Sequence, residues 1–196
     1  MRRALWNAWA LKAFALALIF GLASGPVRAA QDTDQALLNK LRDAVESADS
    51  FDDNYDATVW LTLMGQRMVR YNDDPDERLA ILVAVHREAR RVDIPPEMVL
   101  SVMHVESRFQ RFAISRVGAQ GLMQIMPFWK NEIGHGDANL FDVDTNIRFG
   151  CTILKHYLDR ERGNWERALA RYNGSLGKTW YPDKVMSAWD RIWFPG

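Results

Sequence analysis

A single cysteine, Cys151, in 196 residues rules out an intramolecular disulfide and a cysteine-based zinc site. Stability must therefore come from an apolar core, and 48% hydrophobic residues are enough to build one. There is no excess of either charge, since 25 basic side chains face 25 acidic ones. Residues 1–29 hold Arg2, Arg3, Lys12 and Arg28 and no acid, so the rest carries 21 basic against 25 acidic side chains. Such a mildly acidic chain, without a run of interleaved arginines and aromatics, lacks the field that phosphate neutralisation needs, and nucleic acid is excluded as a partner. No internal repeat, low-complexity tract or convincing period-two alternation occurs. The four histidines, His86, His104, His135 and His156, lack zincin spacing.

What is present begins with an address. The basic pair Arg2-Arg3, the apolar run 13–22 and the small-residue pattern Val27-Arg28-Ala29 describe a secretory signal peptide cleaved after Ala29. The alternative is a retained anchor, but Asn7 and Lys12 leave the apolar stretch short of a bilayer span. Export is the expectation, with the periplasm or cell envelope as destination.

From Gln31 onward the periodicity is helical. Leu37, Leu38, Leu41 and Val45 recur at steps of three and four, as do Val59, Leu63 and Met68 with their neighbours. Asp74-Pro75 reads as a cap before a first-turn proline, and Leu79, Ile81, Leu82 and Val85 follow as an apolar stripe. Asp93-Ile94-Pro95-Pro96 starts another helix carrying Val99, Val102 and Met103. Residues 107–127, with Gly118 and Gly121, suit turns and short strands. Helical texture returns at 145–162, 164–172 and 183–192. The expected organisation is a signal peptide (1–29), a helical N-terminal extension (30–77) packed on the remainder, and one mainly α domain (78–196).

Positions 99, 102, 103 and 106 share one helix face, and the fourth is Glu106. A glutamate on that stripe, flanked by Val105 and Phe109, loses hydration of its charged form, and its pKa rises toward the range of a general acid. Lysozyme holds a carboxyl of this kind in an apolar pocket. On spacing alone, a glutamate that merely ends the helix in solvent is an equal alternative.

The residues around it bear on that choice. Glu106-Ser107-Arg108-Phe109, Ala113-Ile114-Ser115 and Gly118-Ala119-Gln120-Gly121-Leu122-Met123-Gln124-Ile125-Met126-Pro127 resemble the lytic transglycosylase family with the soluble-transglycosylase, goose-type lysozyme-like domain. Asn146-Ile147 with Gly150 and Tyr157-Leu158 resembles its next block, and Ala168-Leu169-Ala170-Arg171-Tyr172-Asn173-Gly174 a further one. The resemblance runs over about residues 78–176. Arg171 stands where a small residue is usual, and Gly174-Ser175 replaces the commoner alanine-glycine ending.

The resemblance implies a lysozyme-like fold and a peptidoglycan lytic transglycosylase with no metal and no organic cofactor. Glu106 would be sole acid and base at the β-1,4 bond between N-acetylmuramic acid (MurNAc) and N-acetylglucosamine, leaving a 1,6-anhydro end with help from the substrate's N-acetyl oxygen. Ordinary glycosidases need two carboxylates, with substrate-assisted enzymes among the exceptions. The same resemblance puts Tyr172 beside the catalytic carboxylate, Ser115 on the N-acetyl group, and Gln124, Met126 and Asn173 at the sugar. Ser107 ranks below these, as a cap or backbone contact, and core filling is the simpler role for Met123. Glycan strands would be the partner, with cell-envelope machinery as a further candidate, and a monomer is expected. The rivals are a hydrolytic muramidase on the same fold and an inactive peptidoglycan-binding or scaffold protein.

Other signals are weaker. Asp142, Asp144 and Asn146 hint at a calcium loop, but the required glycine is missing and Ile153 holds the terminal glutamate position. Asn173-Gly174-Ser175 satisfies a glycosylation sequon, which the family block explains better. Among Trp129, Trp165, Trp180 and Trp189, Trp129 is the candidate sugar platform because it follows the Gln124 loop.

Overall fold

The computed structural model describes residues 54–132 and 135–194. The signal segment and the Leu37–Val45 stripe lie outside them. Helices account for nearly all the regular structure: α1 (Asn54–Met68), α2 (Pro75–Arg91), α3 (Pro96–Glu106), α4 (Phe128–Glu132), α5 (Val143–Arg160), α6 (Trp165–Tyr172) and α7 (Trp180–Ala188), followed by a π-helical turn (Trp189–Trp193). In residues 107–127 the expected short strands reduce to two isolated antiparallel bridges, Ile114 with Gln120 and Gln120 with Ile125. Two-residue contacts so close together leave no room for a ladder, and the segment folds as consecutive turns.

Local sequence sets the helix boundaries. The Asp74 carboxylate accepts from the N–H groups of Asp76 and Glu77, and Pro75 takes the first position, where its missing N–H costs nothing. Asn164 caps α6 through the Arg167 N–H, and Asp142 caps α5 through that of Thr145. In α1 the buried stripe is Ala57, Leu61, Met64 and Met68, while Val59 and Leu63 are 40% and 45% exposed. The expected helix is there, but its inward face is rotated from the one that Val59 and Leu63 suggested. Apolar residues occur on both faces, and burial against α2 selects the 57-61-64-68 set.

Helix α5 packs against α2 and α6, α3 against α2, α7 and the π-helical turn, and α7 against α6. Their inward residues form one core that includes Ile81, Leu82 and Val85 of α2, Val99, Val102 and Met103 of α3, and Ile147 and Leu154 of α5. Residues of α1 belong to the same core, and α2 crosses the boundary expected at 77/78. An ion cluster ties α2 to α5. Glu88, fully buried, receives Arg91 at 2.6 Å, Arg148 at 3.0 Å and Arg87 at 3.1 Å. Burial alone would raise its pKa, but the guanidinium hydrogen bonds outweigh it and hold the carboxyl below its ordinary value.

Candidate active site

Glu106 is the last residue of α3, and the chain leaves it by a sharp reversal. Arg108 N–H bonds back to Met103 O at 3.1 Å, and Arg108 and Phe109 both take left-handed backbone, with φ of 51° and 64°. Such non-glycine conformations cost roughly 1–2 kcal/mol each and persist where neighbours hold them. Here Phe109 is buried among Tyr71, His104 and Trp193. Ser107 Oγ donates to Leu122 O at 2.7 Å and accepts from Phe109 N–H at 3.1 Å. The serine ranked low from sequence thus pins the turn after Glu106 to the glycine loop.

That loop is locked from below by α5. Asn146, buried, accepts from Met123 N–H at 2.8 Å and donates to Gln120 O at 2.9 Å and Leu140 O at 2.7 Å. A Cβ at Gly121, whose φ is +77°, would stand 2.3 Å from the Asn146 amide nitrogen. One at Gly150 would stand 2.2 Å from Met123 Sδ, so α5 and the loop touch only because both positions are glycine. Met123 is fully buried, and Met126 is partly exposed beside it. The three residues that hinted at a calcium loop are each engaged otherwise: Asp142 caps α5, Asp144 pairs with Arg87 at 2.8 Å, and Asn146 clamps the loop.

Two tyrosines meet this assembly. Tyr172, the last residue of α6, donates to Met123 O at 2.8 Å. Tyr181, in the first turn of α7, donates to Glu106 Oε1 at 2.6 Å. The direct hydrogen bond to the carboxylate is made by Tyr181, which α7 delivers from its packing on α3, while Tyr172 also stands near the site: burial, and then the charge of Glu106, push its own pKa up. A buried tyrosine needs a hydroxyl partner. The one sequence clue was Tyr181 sharing the apolar face of Val185 and Ala188, both buried with it.

Burial pushes the Glu106 pKa up from 4.5 to about 7, against a smaller opposite effect of the Tyr181 bond. Among the described residues no other carboxylate contributes to the shift. At neutral pH this group is therefore divided between acid and base forms, the condition for moving a proton both ways.

The remaining expected residues divide. Ser115 Oγ accepts from Ala119 N–H at 3.0 Å, which leaves its own proton to donate. Gln124, with φ of 50°, ties its amide nitrogen to Gly121 O at 2.9 Å and Ala113 O at 3.2 Å, leaving the amide oxygen as an acceptor. Asn173 caps the C-terminus of α6 and is half-buried. Trp129 stands on α4 packed against the core, edge-on to Tyr157 at 6.4 Å. Trp180, next to Tyr181, is the more open indole, at 47% exposure.

The family model described as transglycosylase SLT domain matches residues 84–187. A transglycosylase of Enterobacteria phage PRD1 is 36% identical over 101 residues, covering 48% of this chain and 37% of its own length. The membrane-bound lytic murein transglycosylase C of Yersinia pestis (strain Pestoides F) is 30% identical over 112 residues, covering 49% of this chain and 31% of its own. The chain thus spans about a third of the length of these curated relatives. Among solved structures, lytic transglycosylase Slt of Pseudomonas aeruginosa, an inactive mutant, aligns with a TM-score of 0.45 at 25% identity, over 76% of this chain and 28% of that one.

Proposed function

The chain belongs to the transglycosylase SLT domain family, and on that premise we propose that it is a peptidoglycan lytic transglycosylase with Glu106 as its single acid and base. Its fold is accordingly the lysozyme-like one. The observation that carries the reading is a carboxyl on the family's motif position, with a pKa near 7 set by burial, one phenol bonded to it and, among the described residues, no second carboxylate sharing the shift.

In the proposed reaction the Glu106 proton passes to the glycosidic oxygen as the C1–O bond of MurNAc breaks, and the leaving sugar departs with a free 4-hydroxyl. The substrate's N-acetyl oxygen closes on C1 and carries the positive charge. The C6 hydroxyl then attacks C1 and displaces that oxygen, and its proton returns to Glu106. The product is a 1,6-anhydro end, no water is consumed, and the glutamic acid is regenerated. Tyr181, donating to the carboxylate, stabilises the ionised form between the two proton transfers. Ser115 would orient the N-acetyl group with its free proton, and the Gln124 amide oxygen would accept from a sugar hydroxyl. Met126 and Asn173 would line the strand, and Tyr172 would act by fixing the Met123 carbonyl. The N-terminal segment directs this activity to the cell envelope.

Mass spectrometry of muropeptides released by the mature protein, run beside Glu106→Gln, tests the reading. Anhydro-muropeptides that vanish in the variant are expected. Reducing ends would mean a muramidase, and no product from either protein would leave a binding or scaffold role.

A further inference from the structure

Across the last turn of α3 from the catalytic carboxylate, a groove of about 450 Å³ runs between α3 and α7 and ends on the π-helical turn. Its walls carry three exposed cations, Arg108, Lys184 and Arg191, and no acidic side chain. None of the three has an ion-pair partner among the described residues, and Lys184 lies 5.2 Å over the Trp180 ring. Asp183 and Asp190 sit on the same elements but outside the lining. Two further features mark the place. His104 Nδ1 on the groove wall is buried with no hydrogen-bond partner among the described residues. Arg191 is carried by a π-helical segment, a geometry that recurs at functional sites.

Uncompensated cations converging on one concavity fit a ligand with several negative charges. We propose that this groove binds the carboxylates of the peptide stems borne by the glycan strand, an inference that rests on the reading of Glu106 given above. Reach supports it. Tyr181 touches Glu106, and at about 1.5 Å per residue Lys184 lies roughly 4.5 Å and Arg191 roughly 15 Å further along the helical axis. A stem of four residues extends to about 13–14 Å. A stem leaving the MurNAc at the cleaved bond therefore passes Lys184 and stops just short of the level of the Arg191 backbone, a gap the long Arg191 side chain is able to close, with the stem's acidic side chain and C-terminal carboxylate as the natural partners. Retention of stem-bearing strands over stripped ones follows.

The test compares glycan strands of equal length with and without stems, using the wild type and the double variant Lys184→Ala, Arg191→Ala. The wild type should show the higher kcat/KM on stem-bearing strands. Each exposed charge pair contributes about two- to fivefold, so the double variant should lose roughly four- to twenty-five-fold on those strands and little on stripped ones. Equal losses on both substrates, or a preference that survives the substitutions, would overturn the proposal. Titration of a soluble acidic stem tetrapeptide against both proteins provides an arm that needs no cleavage. Binding weakened in the double variant supports the groove even if no glycan is cut, in which case only the enzymatic reading fails. A wild type that binds inorganic phosphate in the groove more tightly than the tetrapeptide, or binds neither, would sink the stem assignment.

Discussion

Replacing Tyr181 by phenylalanine removes one hydrogen-bond donor from the catalytic carboxylate and leaves the buried ring in place. The bond at 2.6 Å stabilises the ionised form of Glu106, so its loss raises the pKa from about 7. Hydrogen bonds to charged groups contribute about 1.5–3 kcal/mol against about 1 for neutral ones, a difference near 1.4 kcal/mol or roughly one pKa unit. The first proton transfer needs the acid form, so activity falls as pH rises through the Glu106 pKa. In Tyr181→Phe that basic limb of kcat/KM should move upward by about one unit. The maximum rate should fall by about tenfold, because the weaker acid is also less well oriented. The assay is release of soluble fragments from purified peptidoglycan between pH 5 and 9. Tyr172→Phe is the control, since its phenol bonds Met123 O and its loss should leave the limb unmoved. A limb that stays in place in Tyr181→Phe, or moves downward, would refute the assignment of this phenol to the ionised carboxylate.

Two further outcomes follow from the site. Because folding raises the Glu106 pKa from 4.5 to about 7, the folded state holds its proton more tightly, and the stability this adds is full below pH 4.5 and lost as pH rises to about 7. Glu106→Gln avoids that loss, so its advantage over the wild type in thermal denaturation should be larger at pH 8 than at pH 4 by up to about 3 kcal/mol; a pH-independent difference would contradict the shift. Asn146→Ala strands the Met123 N–H and two carbonyls, and urea denaturation should show a loss of about 3 kcal/mol with reduced turnover, whereas a loss under about 1 kcal/mol would mean that water replaces the amide.

Legibility in the sequence followed the range of the interactions. Glu106 could be read because its neighbours at 99, 102 and 103 lie within one helix, and all three are fully buried. The α2 cap and the caps of α5 and α6 are equally local, and the residues that make them stand within three positions of their partners. Tyr181 stands 75 residues from the carboxylate it serves, and no spacing rule connects α3 to the first turn of α7. Asn146 was visible as part of an aspartate-rich run and of a family-like block, but neither pointed to its partners, which are carbonyls and an amide from 6 to 26 residues away. Glu88 sits in Arg87-Glu88-Ala89-Arg90-Arg91, a string that reads as solvated surface until Arg148, 60 residues on, folds over it.

The same long-range bonds account for how the site tolerates its own costs. Arg108, Phe109 and Gln124 are held in left-handed backbone, each disfavoured by roughly 1–2 kcal/mol, and Glu106 is kept partly protonated at the C-terminal end of a helix, where the dipole also disfavours a carboxylate. None of these is stable by local preference. Each lies within a residue or two of a clamp: Ser107 on Leu122 O, Phe109 in the aromatic cluster, Asn146 on Met123 N–H, Tyr172 on Met123 O. The clamps use groups that do not bond the Glu106 carboxylate, and they leave the Ser115 proton and the Gln124 amide oxygen unspent. Offsetting strain with bonds from α5, α6 and the buried ring cluster is what frees the reacting side chains to meet substrate. The helices beneath the loop are therefore as necessary to a proton-transferring Glu106 as the apolar pocket that sets its pKa.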